Sequence, residues 1–236
     1  LAPGSTIGIL GGGQLGRMLA QAAQRLGFDV VIYTDEEDSP AARVAARTIV
    51  SDYKDRAALS LFAHETQVVT TEFENVPAAT AEILREAHAR VAPPPKALAI
   101  AQDRFDEKTF LMNKGVTTPP FAPVASQDDL GIALVRIGAP AILKTRRLGY
   151  DGRGQVRIKN AEDAPGAFAL LNAPAILEGF CAFEREVSLI AARAGDGAIA
   201  FFDLCENAHE GGILARTTLP ARVDPSVTAA AHATMT

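Results

Sequence analysis

The first ninety residues alternate short apolar runs with segments whose apolar residues recur at helical spacing. The β-branched run 6–10 predicts a buried strand. The segment after it has apolar residues at 15, 18, 19, 22, 23 and 26, the spacing of a helix that Gly27 closes. Because strands that alternate with helices form βαβ units, the pattern predicts a parallel sheet. Further strands are predicted at 29–35, 47–51 and 67–73, and further helices at 39–45, 55–65 and 77–88.

The pattern changes after Pro93–Pro95, which we interpret as a domain boundary at about residue 100. One or two helices follow, and strands then succeed one another with little helix between them. The fold class predicted is therefore α/β at the start and α+β in the second half. The later strands are predicted at 140–145, 154–159, 175–180, 185–194 and 199–209, with a short helix at 162–171 and another begun after 224.

Composition narrows the class of protein. The chain of 236 residues is 48% hydrophobic and 22% charged, with a net charge of -5, so no basic field favours nucleic acid or a membrane surface. No apolar stretch is long enough to predict a membrane span. Its two cysteines, Cys181 and Cys205, form no CxxC pair, which predicts a reducing, cytoplasmic environment without structural zinc or disulfides.

A glycine loop opens the first predicted helix. Gly11, Gly13 and Gly16 have the spacing of a dinucleotide fingerprint, and Asp35 stands at the end of the second predicted strand. Glycines and a helix N-terminus favour an anion in general. The pattern therefore leaves three readings open: a phosphate-bearing ligand, a structural turn, or the cofactor of an NAD(P)-dependent oxidoreductase. No structural need explains Gln14 within the glycine run, so it is a contact candidate.

Two carboxylates, Glu72 and Glu74, follow the strand predicted at 67–73, where ligands collect in open α/β sheets. They flank Phe73 and would share one face if the strand continued. Such a pair can bind a metal, transfer protons or grip sugar hydroxyls, or it can be two solvated loop acids. A glycine loop at the same edge favours hydroxyl binding.

The stretch Leu143–Gln155 carries glycines and basic residues between two predicted strands. It is either a solvated turn or a lid over an anion, with Lys144 and Arg153 as donors. Glu178 and Glu186 then border a connector that could meet adenine and ribose. His209, before a Gly-Gly pair, is either structural or part of the same site.

Five ordered motifs resemble the N5-carboxyaminoimidazole ribonucleotide synthetases, ATP-grasp enzymes of purine biosynthesis. They are GILGGGQLGRML, TEFENVP, KTRRLGYDGRGQ, EREVSLIAAR and ENAHEGGIL. The resemblance implies a Rossmann-like domain at 1–100 and an incomplete ATP-grasp domain at 101–236, with a lid subdomain at about 115–180. It also implies ATP, Mg²⁺ and bicarbonate as reaction partners, 5-aminoimidazole ribonucleotide as substrate, and a homodimer.

The resemblance also implies roles for particular residues. Tyr150, Asp151 and Arg153 would lie where the substrates converge, and Gln14, Leu15 and Glu74 would contact the aminoimidazole ribonucleotide. The ATP contacts would be Arg104, Lys144, Gly149, Tyr150, Asp151, Gly152, Arg153, Gly154, Gln155, Glu178, Gly179, Phe180, Cys181, Glu186 and His209.

Two departures accompany the resemblance. Leu148 stands where the family usually has a glycine, which affects how the loop bends. The family's magnesium-binding residues fall beyond residue 236, so we expect no metal ligands within the chain and no turnover by it alone. If the protein truly ended there, it would be a non-catalytic nucleotide-binding module.

Overall fold

The computed structural model describes residues 1–149 and 153–236. The chain forms two compact units, Leu1–Glu107 and Lys108–Thr236.

The first unit is built on a parallel sheet with strand order β3-β2-β1-β4. In the central pairing Ile9 lies opposite Ile32, and side chains on the two faces of the sheet form separate apolar clusters. The predicted parallel sheet is therefore confirmed. Its elements are β1 (Thr6–Leu10), α1 (Gln14–Arg25), β2 (Asp29–Thr34), β3 (Arg47–Val50), α2 (Arg56–Glu65), β4 (Val68–Thr71), α3 (Ala78–Glu86), α4 (Pro95–Ala101) and α5 (Arg104–Asn113), which continues into the second unit.

Three details of the first unit differ from the sequence prediction. Residues 39–45 form turns rather than a helix, and β4 ends at Thr71, so Glu72 and Glu74 do not continue a strand. Helix α1 buries only small residues against the sheet. Its larger apolar side chains are exposed because glycine and alanine allow the closest approach of helix to sheet. The exposed set is Leu15, Met18, Leu19 and, just past the helix, Leu26.

The second unit contains a four-stranded antiparallel sheet with order β5-β8-β6-β7, covered by two helices over an apolar core. A three-stranded antiparallel sheet, β13-β12-β9, and the pair β10-β11 follow. The elements are β5 (Phe121–Val124), α6 (Gln127–Ile137), β6 (Ala141–Thr145), β7 (Gln155–Ile158), α7 (Ala167–Leu171), β8 (Ala175–Gly179), β9 (Glu186–Ser188), β10 (Ala191–Arg193), β11 (Ile199–Phe201), β12 (Cys205–Glu210), β13 (Ile213–Thr218) and α8 (Pro225–Met235).

The predicted change to adjacent strands is confirmed, although the bounds differ. The strands predicted at 185–194 and 199–209 are each divided in two, and β5 and β13 were not predicted. Division lets the chain pass from the three-stranded sheet to the β10-β11 pair and back. None of the helices in the described part of the chain has the length and apolar character that a membrane crossing requires.

Candidate functional site

The glycine loop of the first unit encloses a carboxylate of the same chain. Glu72 Oε1 accepts a hydrogen bond of 2.7 Å from the Gly13 amide, and a Cβ on Gly11 would come within 2.7 Å of that oxygen. Gly11 also has a φ of +108°, which side chains rarely adopt. The loop therefore needs its glycines to fit around Glu72, so one of the amides that could have bound a phosphate is already used.

The two acidic candidates occupy different environments. Glu72 is half-buried against the loop, whereas Glu74 is exposed and its carbonyl accepts a 2.7 Å hydrogen bond from Gln102 Nε2. Glu72 therefore shapes the loop, and the Glu74 side chain is available to a ligand. Gln14 and Leu15, the first residues of α1, are also exposed.

The electrostatics of this edge disfavour a phosphate. Burial, with the nearby charges of Asp35, Glu72 and Glu36, raises the pKa of Tyr53 to about 12. Several carboxylates thus surround the end of β2. Such a site suits hydroxyl or amino groups better than an anion.

A buried ion cluster lies on the four-stranded sheet of the second unit. Glu178 on β8 is only 7% exposed, and its Oε2 accepts a 2.9 Å hydrogen bond from Lys144 Nζ on β6. Lys108 Nζ on α5 lies 3.5 Å from the same oxygen. Lys144 therefore has a partner in this structure, and Lys108 is a member of the cluster that the sequence prediction missed.

The sheet holds the two ends of the lysine- and arginine-rich loop between β6 and β7. Lys144 pairs with Gln155 across β6 and β7, and the Thr145 amide donates a 2.8 Å hydrogen bond to the Gly154 carbonyl. The predicted site residues Tyr150, Asp151 and Gly152 lie outside the described residues. Gly149 and the exposed Arg153, on either side of them, both make contacts with other groups.

Leu148 has a φ of +62°, and its side chain is 70% exposed. This left-handed conformation is the one that glycine adopts without strain. The backbone at the departure from the family pattern therefore keeps a glycine-like conformation although the residue is a leucine.

The first two amides at the end of β8 and in the connector after it donate hydrogen bonds to other backbone groups of the protein. Gly179 donates to the Pro120 carbonyl at 2.8 Å, and Phe180 donates to the Pro140 carbonyl at 3.0 Å. The Phe180 ring lies 4.6 Å from the Arg157 guanidinium carbon. Cys181 is exposed, and its amide is the first in the connector without a hydrogen-bond acceptor among the described residues. An adenine that binds along this connector would therefore find the Cys181 amide available, whereas the Gly179 and Phe180 amides are already hydrogen-bonded.

Glu186 and His209 are brought together by the pairing of β9 with β12. His209 Nδ1 lies 3.4 Å from Glu186 Oε1, and each side chain is more than one third exposed. Asn207, opposite Glu186 in the register, donates to Glu186 Oε1 at 3.5 Å and to Ser188 Oγ at 2.5 Å. The pairing of β12 with β13 shifts register between Ala208 and His209.

Asn207 was also missed by the sequence prediction, although it stands in the quoted motif ENAHEGGIL beside His209. Alternation along a strand could have signalled its role, because Asn207 and His209 are two positions apart. Arg104, the last predicted contact, begins α5, where the Asp103 carboxylate accepts hydrogen bonds from the Phe105 and Asp106 amides.

Two family models match the chain, and the boundary between them lies close to the boundary between the two compact units. The ribonucleotide synthetase preATP-grasp domain matches residues 5–102, and the ATP-grasp domain matches residues 109–236. The chain belongs to the ATP-grasp family. The resemblance drawn from the motifs and the predicted fold class are both confirmed.

Several relatives of this ATP-grasp chain are N5-carboxyaminoimidazole ribonucleotide synthases. The N5-carboxyaminoimidazole ribonucleotide synthase of Brucella melitensis is 53% identical over 235 residues, covering 98% of this chain and 65% of that protein. The crystal structure of N5-carboxyaminoimidazole synthetase from Staphylococcus aureus complexed with ADP is 39% identical with a TM-score of 0.91, covering 98% of this chain and 62% of that chain.

A third relative is the Aspergillus clavatus synthase in complex with ADP and 5-aminoimidazole ribonucleotide. It is 26% identical with a TM-score of 0.88, covering 98% of this chain and 61% of that chain. This ATP-grasp chain therefore spans between 61% and 65% of the length of these relatives.

The described residues of this ATP-grasp chain, 1–149 and 153–236, contain no group of three or more His, Cys, Asp or Glu side chains that could hold a metal ion.

Proposed function

We propose that this chain serves the ATP- and bicarbonate-dependent carboxylation of 5-aminoimidazole ribonucleotide to N5-carboxyaminoimidazole ribonucleotide, in the cytoplasm and as a homodimer. The observation that supports the proposal is the match of residues 5–102 to the ribonucleotide synthetase preATP-grasp domain and of residues 109–236 to the ATP-grasp domain. One relative of similar fold, the Aspergillus clavatus synthase, has been crystallised with ADP and 5-aminoimidazole ribonucleotide.

The proposed reaction has two stages. A bicarbonate oxygen attacks the γ-phosphorus of ATP, which releases ADP and forms carboxyphosphate. Carboxyphosphate then separates into phosphate and carbon dioxide, and the exocyclic amine of the imidazole attacks that carbon dioxide and loses a proton. Mg²⁺ would neutralise phosphate charge during the first stage.

Residues of the second unit would bind the nucleotide. Lys144 and Arg153, with the loop 149–155, would meet the phosphates, and the connector 178–181 would meet adenine. Glu186 would accept hydrogen bonds from ribose hydroxyls, held in place by Asn207 and His209. The exclusion of water by the loop would protect carboxyphosphate, which is a labile dianion.

Residues of the first unit would bind the imidazole ribonucleotide. Glu74, Gln14 and Leu15 are exposed beside a carboxylate-rich loop edge, which suits the amine and ribose hydroxyls of that substrate. Asp151 would orient the amine or accept its proton, and Tyr150 would lie beside the reacting groups.

The oxidoreductase alternative finds no support in this geometry. The Gly13 amide, which a dinucleotide pyrophosphate would need, donates to Glu72. Surrounding carboxylates would also repel the pyrophosphate.

Two measurements test the proposal. Isothermal titration of the chain with ADP is expected to show saturable binding, and titration with NADH is expected to show none. ADP release by a form of the protein that includes the magnesium-binding region should rise when 5-aminoimidazole ribonucleotide is added with bicarbonate. ADP release that is indifferent to that substrate would contradict the assigned reaction, and ADP binding without release would favour a non-catalytic module.

A further inference from the structure

The ion cluster on the four-stranded sheet contains two cations and one anion. Lys144 Nζ and Lys108 Nζ lie 2.9 Å and 3.5 Å from the same oxygen, Glu178 Oε2. The side chains of the two lysines are 25% and 17% exposed, and that of Glu178 is 9% exposed. The cluster therefore holds one positive charge more than Glu178 neutralises.

The secondary structure fixes Lys144 and Glu178 but brings Lys108 from another element. Glu178 pairs with Ile142 across β6 and β8, so Lys144, two residues from Ile142, lies on the same face as the carboxylate. Lys108 reaches the same oxygen from α5, with its ammonium 6.0 Å from the Phe121 ring centroid. Its long apolar stem is thus buried while its charge is turned toward Glu178.

This geometry creates a conflict for the proposed nucleotide site. If Lys144 turns toward a phosphate, it loosens its bond to Glu178. A buried carboxylate that loses its only cation is strongly unfavourable. A second cation on the same oxygen removes that penalty, because Glu178 stays paired while Lys144 moves.

We infer that Lys108 is a positioning residue: it holds Glu178 and thereby frees Lys144 to bind a nucleotide phosphate. Lys108 acts through Glu178 and does not itself touch the phosphate. This inference rests on the proposed function, since Lys144 must be a phosphate contact. Without Lys108, the remaining lysine and carboxylate form a one-to-one pair that holds Lys144 away from the ligand.

Two other roles for Lys108 lead to different results. A packing role through the Phe121 ring would affect stability but not phosphate binding. Direct contact with the phosphate would weaken ADP binding regardless of Glu178. The test must therefore separate coupling through Glu178 from both.

The experiment measures the affinity of the full chain for ADP and for adenosine by isothermal titration. We expect Lys108→Met to weaken ADP binding about tenfold, the loss of one charge-assisted hydrogen bond, and to leave adenosine binding nearly unchanged. Lys108→Arg should restore most of the ADP affinity, since it keeps the charge. Lys159→Met, which removes an exposed lysine from the same unit, is the matched control.

Glu178→Gln distinguishes coupling from direct contact. Because Glu178 also begins the connector that would meet adenine, Glu178→Gln alone is the reference for the double variant. Glu178→Gln removes the carboxylate that retains Lys144, so adding Lys108→Met to it should weaken ADP binding no further. A double variant about tenfold weaker than Glu178→Gln would overturn the inference, as would a Lys108→Met chain that binds ADP normally.

A readout without nucleotide keeps this inference separate from the proposed function. The rate at which an amine-reactive acetylating reagent modifies Lys144, followed by mass spectrometry, should fall several-fold in Lys108→Met and recover with Glu178→Gln. If the native chain fails to bind ADP, the proposed function fails, while the acetylation rates still decide the coupling. Equal Lys144 rates in the native chain and Lys108→Met would refute the coupling itself.

Discussion

Gly12→Ala tests whether the glycine loop is fixed by packing. A Cβ on Gly12 would lie 2.4 Å from Ser39 Oγ, 2.6 Å from Ser39 Cβ and 2.7 Å from Thr34 Oγ1. Carbon atoms in contact are normally about 3.5–4.0 Å apart, so the new methyl group overlaps its neighbours by about 1 Å. Ser39 and Thr34 are 0% and 1% exposed, which leaves them no room to move toward solvent.

The backbone cannot yield without a further loss. The Gly12 carbonyl accepts a 2.9 Å hydrogen bond from the Ala41 amide, which joins the loop to the turn that contains Ser39. Overpacking of this kind costs about 1–3 kcal/mol. At about 2–4 °C per kcal/mol for a chain of this size, Tm should fall by about 2–12 °C.

The assay can be weighted toward the first unit. The chain has no tryptophan, and two of its three tyrosines, the buried Tyr33 and Tyr53, lie in that unit. The tyrosine band of the near-UV circular dichroism during heating therefore follows mainly its unfolding, with far-UV signal reporting on both units.

Gly131→Ala is the control, and it is expected to raise the free energy of unfolding rather than lower it. Gly131 lies inside α6, and a Cβ there would meet nothing within 4 Å. The alanine should stabilise the second unit by about 0.5–1 kcal/mol. Adding Ser39→Gly to Gly12→Ala removes the two closest atoms and should recover part of the loss. A Gly12→Ala chain that melts like the native one would refute the packing explanation.

Three further predictions concern single side chains. Ser39→Ala should leave the free energy of unfolding in urea unchanged or raise it by about 1 kcal/mol, because the buried Ser39 Oγ has no hydrogen-bond partner among the described residues. A clear fall in the free energy of unfolding would mean that the hydroxyl does have a hydrogen-bond partner. Hydrogen bonds from the Ala58 amide and the Ser51 hydroxyl lower the pKa of Asp55, so its stabilisation is present above the unfolded-state pKa and is lost as pH falls below about 4. Asp55→Asn should therefore flatten the acid limb of a stability-versus-pH curve, and an unchanged limb would contradict this. Asn207→Leu should weaken the binding of ADP with little change in Tm, because it releases Glu186 from its hydrogen bond. A loss of ADP affinity matched by a loss of stability would indicate a structural role only.

Apart from the turns at 39–45 and the unpredicted β5 and β13, the order of elements was readable from the sequence, as were the family motifs. Alternating apolar runs and helical spacings follow from local geometry, so the parallel sheet and the later change to adjacent strands were predicted. The motifs identified Lys144, Glu186 and His209 as candidate residues because each stands in a short segment of recognisable chemistry. Glu178 was identified because it borders the connector between two predicted strands.

Contacts between distant segments were not readable in this way. The sequence left a phosphate-bearing ligand, a structural turn and a dinucleotide cofactor open at the glycine loop, whereas in the structure Glu72 from a different strand end accepts a hydrogen bond from the Gly13 amide. The apolar residues of α1 have helical spacing, yet the helix buries Gly16, Ala20 and Ala23 and leaves Leu15, Met18 and Leu19 exposed. Local spacing gives the faces of a helix but does not say which of them the sheet can approach.

By itself, the sequence determined most of the elements and their order, and it supplied candidate residues for nucleotide contact, because these depend on neighbours along the chain. Only the tertiary structure decided their partners. It placed two lysines from different elements on one carboxylate and set Asn207 beside Glu186. Such pairings depend on strand register and on helix position, which no short stretch of sequence specifies.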